Sequence, residues 1–228
     1  MSDRITLGEL AGGGALGKSA TPPELRRLRL TQPGSRDAAR PGTFQNSATL
    51  ENFTEVRDAV FLRMRLVRRM YSKGDRFDGE AALRCFSDDG KVPSPEVLAP
   101  VAAKCVACPA ASWRAEGGRR LPPACKELVL SIVAAGKQRL PFLLEFAPSS
   151  VPAARAVYSF AQCNRIPLHA VEVTLRAEEK RRENGGYYQI SIDAPRIVDD
   201  RDVPLVSELY TKLRDYPLKA AGGRGYRK

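Results

Sequence analysis

Histidine is nearly absent from this chain. His169 is the only one in 228 residues, and it sits in the apolar run Ile166-Pro-Leu-His-Ala-Val. That position reads as a strand residue rather than a general base, and it removes the commonest acid–base group from the inventory. No dense carboxylate cluster takes its place, so the sequence points to a non-enzymatic protein. Aromatic residues make up 7% of the chain, with Trp113 the single tryptophan. A protein that stacks bases along its whole surface needs more, so any stacking must be local and any binding weak or cooperative. No apolar run approaches the roughly 20 residues of a membrane-spanning helix. The opening MSDRITLGELAGGG lacks a basic start followed by an apolar stretch, so no secretory signal is expected. The expected setting is cytoplasmic, with reduced cysteines and no membrane partner.

What the chain does carry is positive charge. Thirty-seven Lys and Arg residues against 26 Asp and Glu give a net charge of +11. That excess favours a polyanion partner, most often nucleic acid.

Four of the five cysteines fall within one stretch, Cys85, Cys105, Cys108 and Cys125, spaced C-x19-C-x2-C-x16-C. The stretch also holds Pro93, Pro95, Pro100, Pro109, Pro122, Pro123, Gly90, Gly117 and Gly118. Proline removes backbone donors and glycine is entropically costly to order, so little core is available here. One structural zinc ion would supply the missing organisation. A C-x2-C knuckle gives two thiolates from one turn, and four cysteines leave no open position for a catalytic water. Metal binding in such regions releases about 10–16 kcal/mol. Disulfides and free thiols remain the alternatives. Cys163 stands apart on an expected helix and reads as a core residue.

Residues 1–52 carry Gly-rich, Pro-Gly and polar stretches and are expected to be disordered, with a short helix possible over PELRRLRL. Gly12-GGAL-Gly17-Lys18-Ser19 fits the phosphate-loop pattern, but Pro22-Pro23 stops the helix that such a loop needs. It reads as a Gly-rich tail. From Val56 the residues alternate. Leu62, Met64, Leu66 and Met70 take one face of an expected strand, and Arg63, Arg65, Val67 and Arg69 the other. Further strands are expected over 126–134, 141–147, 168–179 and 187–194, with a helix over 151–164 and a second over Val203–Leu213. A helix between the third and fourth of five strands is the order of an OB-fold. The expected fold is mainly β with α: a five-stranded OB-fold-like barrel at 53–197, a zinc-binding insertion at 85–125, a C-terminal helix at 198–218 and a basic tail at 219–228.

The run Arg84-Cys85-Phe86-Ser87-Asp88-Asp89-Gly90, the Cys105-Val-Ala-Cys108-Pro109 knuckle, Trp113, Pro123-Ala-Cys125-Lys-Glu and Gly185-Gly186-Tyr187-Tyr188 together resemble a phage-encoded four-cysteine zinc-binding, OB-fold-like family found among replication and recombination functions. The match covers residues 60–195. The architecture is similar to that of the single-stranded DNA-binding protein of T-even phages, which places a zinc subdomain within an OB-fold. That protein uses one histidine and three cysteines, so no contact residues carry over. The resemblance implies a single-stranded DNA-binding protein of phage replication or recombination, with phage or host replication proteins as further partners.

Single-strand binding needs cations that track phosphates and aromatic platforms for bases. The candidate cations are Arg63, Arg65 and Arg69 on the first strand, Arg114, Arg119 and Arg120 in the cysteine loop, and Lys180, Arg181 and Arg182 in the last hairpin. The candidate platforms are Tyr71, Phe86, Trp113 and Tyr187. The competing expectation is a zinc-ribbon interaction factor, acting in transcription or anti-defence on a host protein.

Overall fold

A 17-residue strand, β4 (Glu55–Tyr71), is the axis of the molecule. The computed structural model describes residues 25–34, 40–71, 83–182 and 185–220, although not the side chain of Arg182. The phosphate-loop match at 12–19 and residues 221–228 lie outside that set. The chain order is β1 (Arg27–Leu30), β2 (Phe44–Asn46), β3 (Asn52–Phe53), β4, and β5 (Leu83–Ser87). Then come a hairpin of β6 (Arg114–Glu116) and β7 (Arg119–Leu121), β8 (Cys125–Ala135), β9 (Leu140–Phe146), helix α1 (Val151–Cys163), β10 (Val171–Arg182), β11 (Gly185–Ile197) and helix α2 (Val203–Leu213). The main sheet runs β11-β10-β4-β8-β9-β1-β2-β3, with β5 also pairing β4.

Alternation along β4 and β8 separates two cores. One face of the sheet carries Phe61, Val129, Val133, Leu144 and Phe146 and is covered by Val151, Ala154, Val157 and Ala161 of α1. The other carries Val60, Leu62, Val67, Leu128, Leu130 and Ile132 and is covered by Val206, Leu209 and Leu213 of α2, then by Leu218 and Ala220. β8 is therefore buried on both sides, which is why it reads as the continuous apolar run LVLSIVAA. Irregularities tune β4. Asp58 has φ 53°, and the register with β8 shifts between Phe61 and Arg63. That shift leaves Leu62 on the α2 side, not with Met64 and Leu66 as strict alternation predicts.

At the Asp58 end, buried Arg139 donates to Glu172 and Asp202, and Arg196 adds bonds to Glu172 and Asp58. This network ties the start of α2 to the sheet. A charged group this deeply buried persists only when paired.

The sheet is mainly β as expected, but it has nine strands rather than five. The additions come mostly from the region expected to be disordered. Residues 27–30 form β1, parallel to β9, not a helix. Their Leu28 enters the α1 core, while β2 and β3 extend the edge. Cys163 is exposed rather than core, because it ends α1 on its outer side. His169 lies in a short 3-10 turn (Leu168–Ala170) ahead of β10, with its ring stacked on Tyr210 of α2 at 4.2 Å. Burial lowers its pKa.

Candidate nucleic-acid interface and cysteine cluster

β4 ends at the cysteines. Met70 pairs Cys85 of β5 on one flank and Cys125 of β8 on the other, so all three side chains share a face. Ala110 and Ala111, from the turn after the Cys105–Cys108 knuckle, pack onto this trio. All four cysteines are buried and carry free thiols. Burial pushes the Cys125 thiol up to about 11, with Arg68 opposing and Cys108, Cys105 and Cys85 adding to the rise. Burial also raises Cys105, opposed by a hydrogen bond from Ser87 and by Arg68. The sequence-predicted ligand set is thus gathered over one end of β4. Among the described residues, however, no three His, Cys, Asp or Glu side chains stand close enough together to hold a metal ion.

Arg68 is the residue that sequence reasoning missed. It pairs Ser87 and Glu127 on the cysteine face. Its Nε donates to Gly90 O at 3.2 Å and its Nη2 to Glu127 at 3.0 Å. It is the cation that opposes the rise that burial causes at both Cys105 and Cys125. The signal was available: a charged residue at position 68 shares the apolar face with Met64, Leu66 and Met70.

The arginine row sits on the face that the alternation predicts, but two of its three members, Arg63 and Arg69, are engaged by the segment after α2. Arg69 is 5% exposed. Its Nε donates to Ala220 O and its Nη1 to Glu145, each at 2.6 Å. Arg63 donates to Tyr216 O. Phe86, opposite Arg69, is 3% exposed inside the α2-side core. Neither Arg69 nor Phe86 is placed to meet a strand of DNA, because the segment after α2 lies over them. Arg65 is exposed. Tyr71, at the end of the strand, is 45% exposed.

The β6–β7 hairpin is the open part. Gly117 and Gly118 have φ 57° and 75°, the paired left-handed conformations of a tight two-residue hairpin turn. The Gly-Gly step between two short polar runs is the signal for it, although the sequence places these residues only in the loop between the cysteines. Arg114, Arg119 and Arg120 are all exposed. Trp113 is 55% exposed, and the Arg120 guanidinium lies 4.9 Å from its ring centroid. Such a contact at an exposed site is worth about 0.5–1 kcal/mol and holds the indole in place without covering it fully.

The remaining candidates lie elsewhere. β10 runs antiparallel to β4, with Arg176 opposite Glu55, so Lys180 and Arg181 extend past the Glu55 end. The cysteines and Tyr71 are at the other end, about 50 Å away along the strand at ~3.3 Å per residue. Lys180 bonds Glu178, and Arg181 stands 3.6 Å from Glu179. Tyr187 is half-buried and paired with Lys180. The structure therefore brings Tyr71, Trp113, Arg114, Arg119 and Arg120 to the cysteine end of the sheet and leaves Lys180, Arg181 and Tyr187 apart from it. No family model, no curated protein and no solved structure matches the chain.

Proposed function

We propose that this is a non-enzymatic single-stranded DNA-binding protein whose contact surface is the β6–β7 hairpin and the cysteine end of the sheet. The observation that carries this reading is Trp113, solvent-exposed and backed by Arg120 on a hairpin that also presents Arg114 and Arg119. An exposed indole among guanidinium groups offers a base-stacking plane with phosphate partners beside it. A replication or recombination role in a phage-infected cell, in the cytoplasm, is the setting that this reading assigns.

In the same reading β4, β8, β9, β10 and β11 take the five positions of an OB-fold-like barrel. The order β11-β10-β4-β8-β9, with α1 between β9 and β10, supports it. β1 then fills the gap between β9 and β11. Cys85, Cys105, Cys108 and Cys125 hold one structural zinc ion. Their chemistry suits it: four buried thiols with Arg68 at hand to offset thiolate charge. Ligation requires the knuckle to draw closer to β5 and β8, and loading releases the protons that burial now holds on Cys105 and Cys125.

A second reading, a zinc-ribbon factor that binds a host protein, is favoured by Leu98 and Val106. Both are almost wholly exposed in the segment that carries the knuckle.

Titration of a labelled oligo-dT at low and high salt decides between them. The first reading expects micromolar binding that weakens steeply with salt, and Trp113→Ala costs about 1–3 kcal/mol of affinity. Absence of salt-sensitive binding overturns it. Binding untouched by Trp113→Ala removes the hairpin from the site.

A further inference from the structure

Lys91 and Lys104 are set beside each other by the backbone. The Cys105 amide donates to Lys91 O at 2.8 Å, so Lys91 lies next to the short 3-10 turn (Cys105–Ala107) that Lys104 opens. On the Lys91 side the chain is pinned to the cysteine end of β4. Arg68 Nε donates to Gly90 O at 3.2 Å, and the Ser94 amide donates to Phe86 O at 2.8 Å. On the Lys104 side the Ala107 amide donates to Lys104 O at 3.2 Å and the Cys108 amide to Cys105 O at 3.3 Å. Both lysine side chains are exposed, and among the described residues neither forms an ion pair. The acids of the same segment are turned to other groups. Asp89 accepts from the Ser87 hydroxyl and from the Lys91 and Val92 amides, Asp88 accepts from the Ala220 amide, and Glu96 pairs Lys219. At the Glu55 end of the sheet the exposed cations Arg57, Arg181 and Arg196 each meet a carboxylate instead.

A short strip of chain joins the lysine pair to the hairpin. The Ala111 amide donates to Cys108 O at 2.9 Å and the Ser112 amide to Pro109 O at 3.3 Å. Ala110 and Ala111 rest on Met70, Cys85 and Cys125, and Trp113 follows two residues on. Each bond from residue i+3 back to residue i holds the two Cα atoms within about 7 Å, so Lys104 and Trp113 stand at most about 25 Å apart. Val106, 86% exposed, lies between them in the first turn. We propose that Lys91 and Lys104 are a second phosphate-binding pair for the single strand whose base stacks on Trp113. The strand then crosses the Cys105–Ala111 strip, with the hairpin guanidinium groups at one end of its track and the two ammonium groups at the other. That span suits one oligonucleotide of the size that OB-type folds hold, about 4–16 nucleotides. This rests on the single-strand reading and gives that site a second contact point and a path.

The test uses the full chain carrying Lys91→Gln and Lys104→Gln together. The matched control carries Arg57→Gln and Lys137→Gln, another exposed pair joined through one backbone bond, from the Gly136 amide to Arg57 O at 3.3 Å, at the opposite end of the sheet. Each is titrated with oligo-dT from about 50 to 200 mM salt and read by the fluorescence of Trp113, the single tryptophan. The log–log salt slope of the lysine variant should be smaller by about 1.4, two phosphate contacts at ~0.7 each on a single strand. Across that range the parent then loses about sevenfold more affinity than the variant. The Trp113 signal at saturation should match the parent, because the hairpin is untouched. The melting temperature should match as well, because both replaced side chains are exposed. The control should keep the parent's slope. An equal change of slope in both variants reduces the effect to net charge and overturns the lysine pair. So does a lysine variant that keeps the parent's slope. A parent without salt-sensitive binding sinks the single-strand reading and the lysine pair with it. That outcome is distinct from a parent that binds, with a Trp113 response, while the lysine variant behaves identically.

Discussion

Gln32 and Tyr188 exchange two hydrogen bonds: the Gln32 amide nitrogen donates to Tyr188 O at 2.8 Å, and the Tyr188 amide donates to Gln32 Oε1 at 2.9 Å. A side-chain amide stands in for a neighbouring strand, and it links the turn after β1 to β11, the far edge of the sheet. Gly42 shares the seam, since a Cβ there would lie 2.5 Å from the Tyr188 ring. Ser150 does the same for the next outward amide, accepting from Ile190 at 2.8 Å. Gln32→Ala leaves a strand amide and a carbonyl without protein partners. The expected loss is about 1–3 kcal/mol, seen as a lower urea midpoint. Gln32→Glu keeps the acceptor and should recover part of it. A midpoint unmoved by Gln32→Ala would show that water serves the seam equally well.

Removal of one knuckle thiol tests the metal. Cys108→Ser should lower bound zinc well below one per chain and melt the inserted region at lower temperature, because four thiolates together supply binding of about 10–16 kcal/mol. Elemental analysis and a thermal scan on the same sample check it. A full zinc ion with an unchanged melt would remove Cys108 from the ligand set.

The parts of the fold legible in the sequence were those in which one physical pattern dominates. Period-two alternation identified β4 and the face that holds Arg63, Arg65 and Arg69. Serine and proline at the start, with helical spacing of Val151, Ala154 and Val157, identified α1. α2 was read to its limits, Val203–Leu213. β1 was not legible, because four residues of RLRL carry too short a pattern to separate strand from helix, and its partner β9 lies more than a hundred residues away. The cover over Arg69 and Phe86 was equally hidden. A sequence shows which face a side chain takes but not what later packs on it. Long-range carbonyl contacts such as Tyr216 and Ala220 leave no local trace.

His169 gives the chain a titration free of other histidines. Its pKa is lowered by burial, so the folded state favours the neutral ring. As pH falls below about 6.5 the unfolded chain takes up this proton first, and stability declines until the folded ring also protonates. Stability is therefore full above that window and lost within it. Denaturation midpoints at neutral and mildly acid pH, compared with His169→Gln, check this. The variant should lose the slope in the first unit below about pH 6.5, before the carboxylates contribute. An identical slope in both would assign it to groups other than His169.

Arg65 and Arg69 lie on one strand face with Val67 between them, yet they should answer opposite questions. Arg65 is exposed, so Arg65→Glu should leave the melting temperature within about a degree and weaken oligo-dT binding only if this part of β4 borders the DNA. Arg69 is buried between Glu145 and the Ala220 carbonyl. Arg69→Glu removes two charge-assisted hydrogen bonds and sets a carboxylate against Glu145 beneath the segment that follows α2. Breaking a buried pair of this kind costs about 3–5 kcal/mol. The expected outcome is a large fall in stability, with trypsin cutting after Lys219 much faster as the segment after α2 comes loose. Circular dichroism melts and timed digestion of the two full-length variants separate the cases. A stable Arg69→Glu protein with a protected Lys219 would mean that Arg69 does not hold the segment, and the guanidinium row would return as a candidate phosphate track.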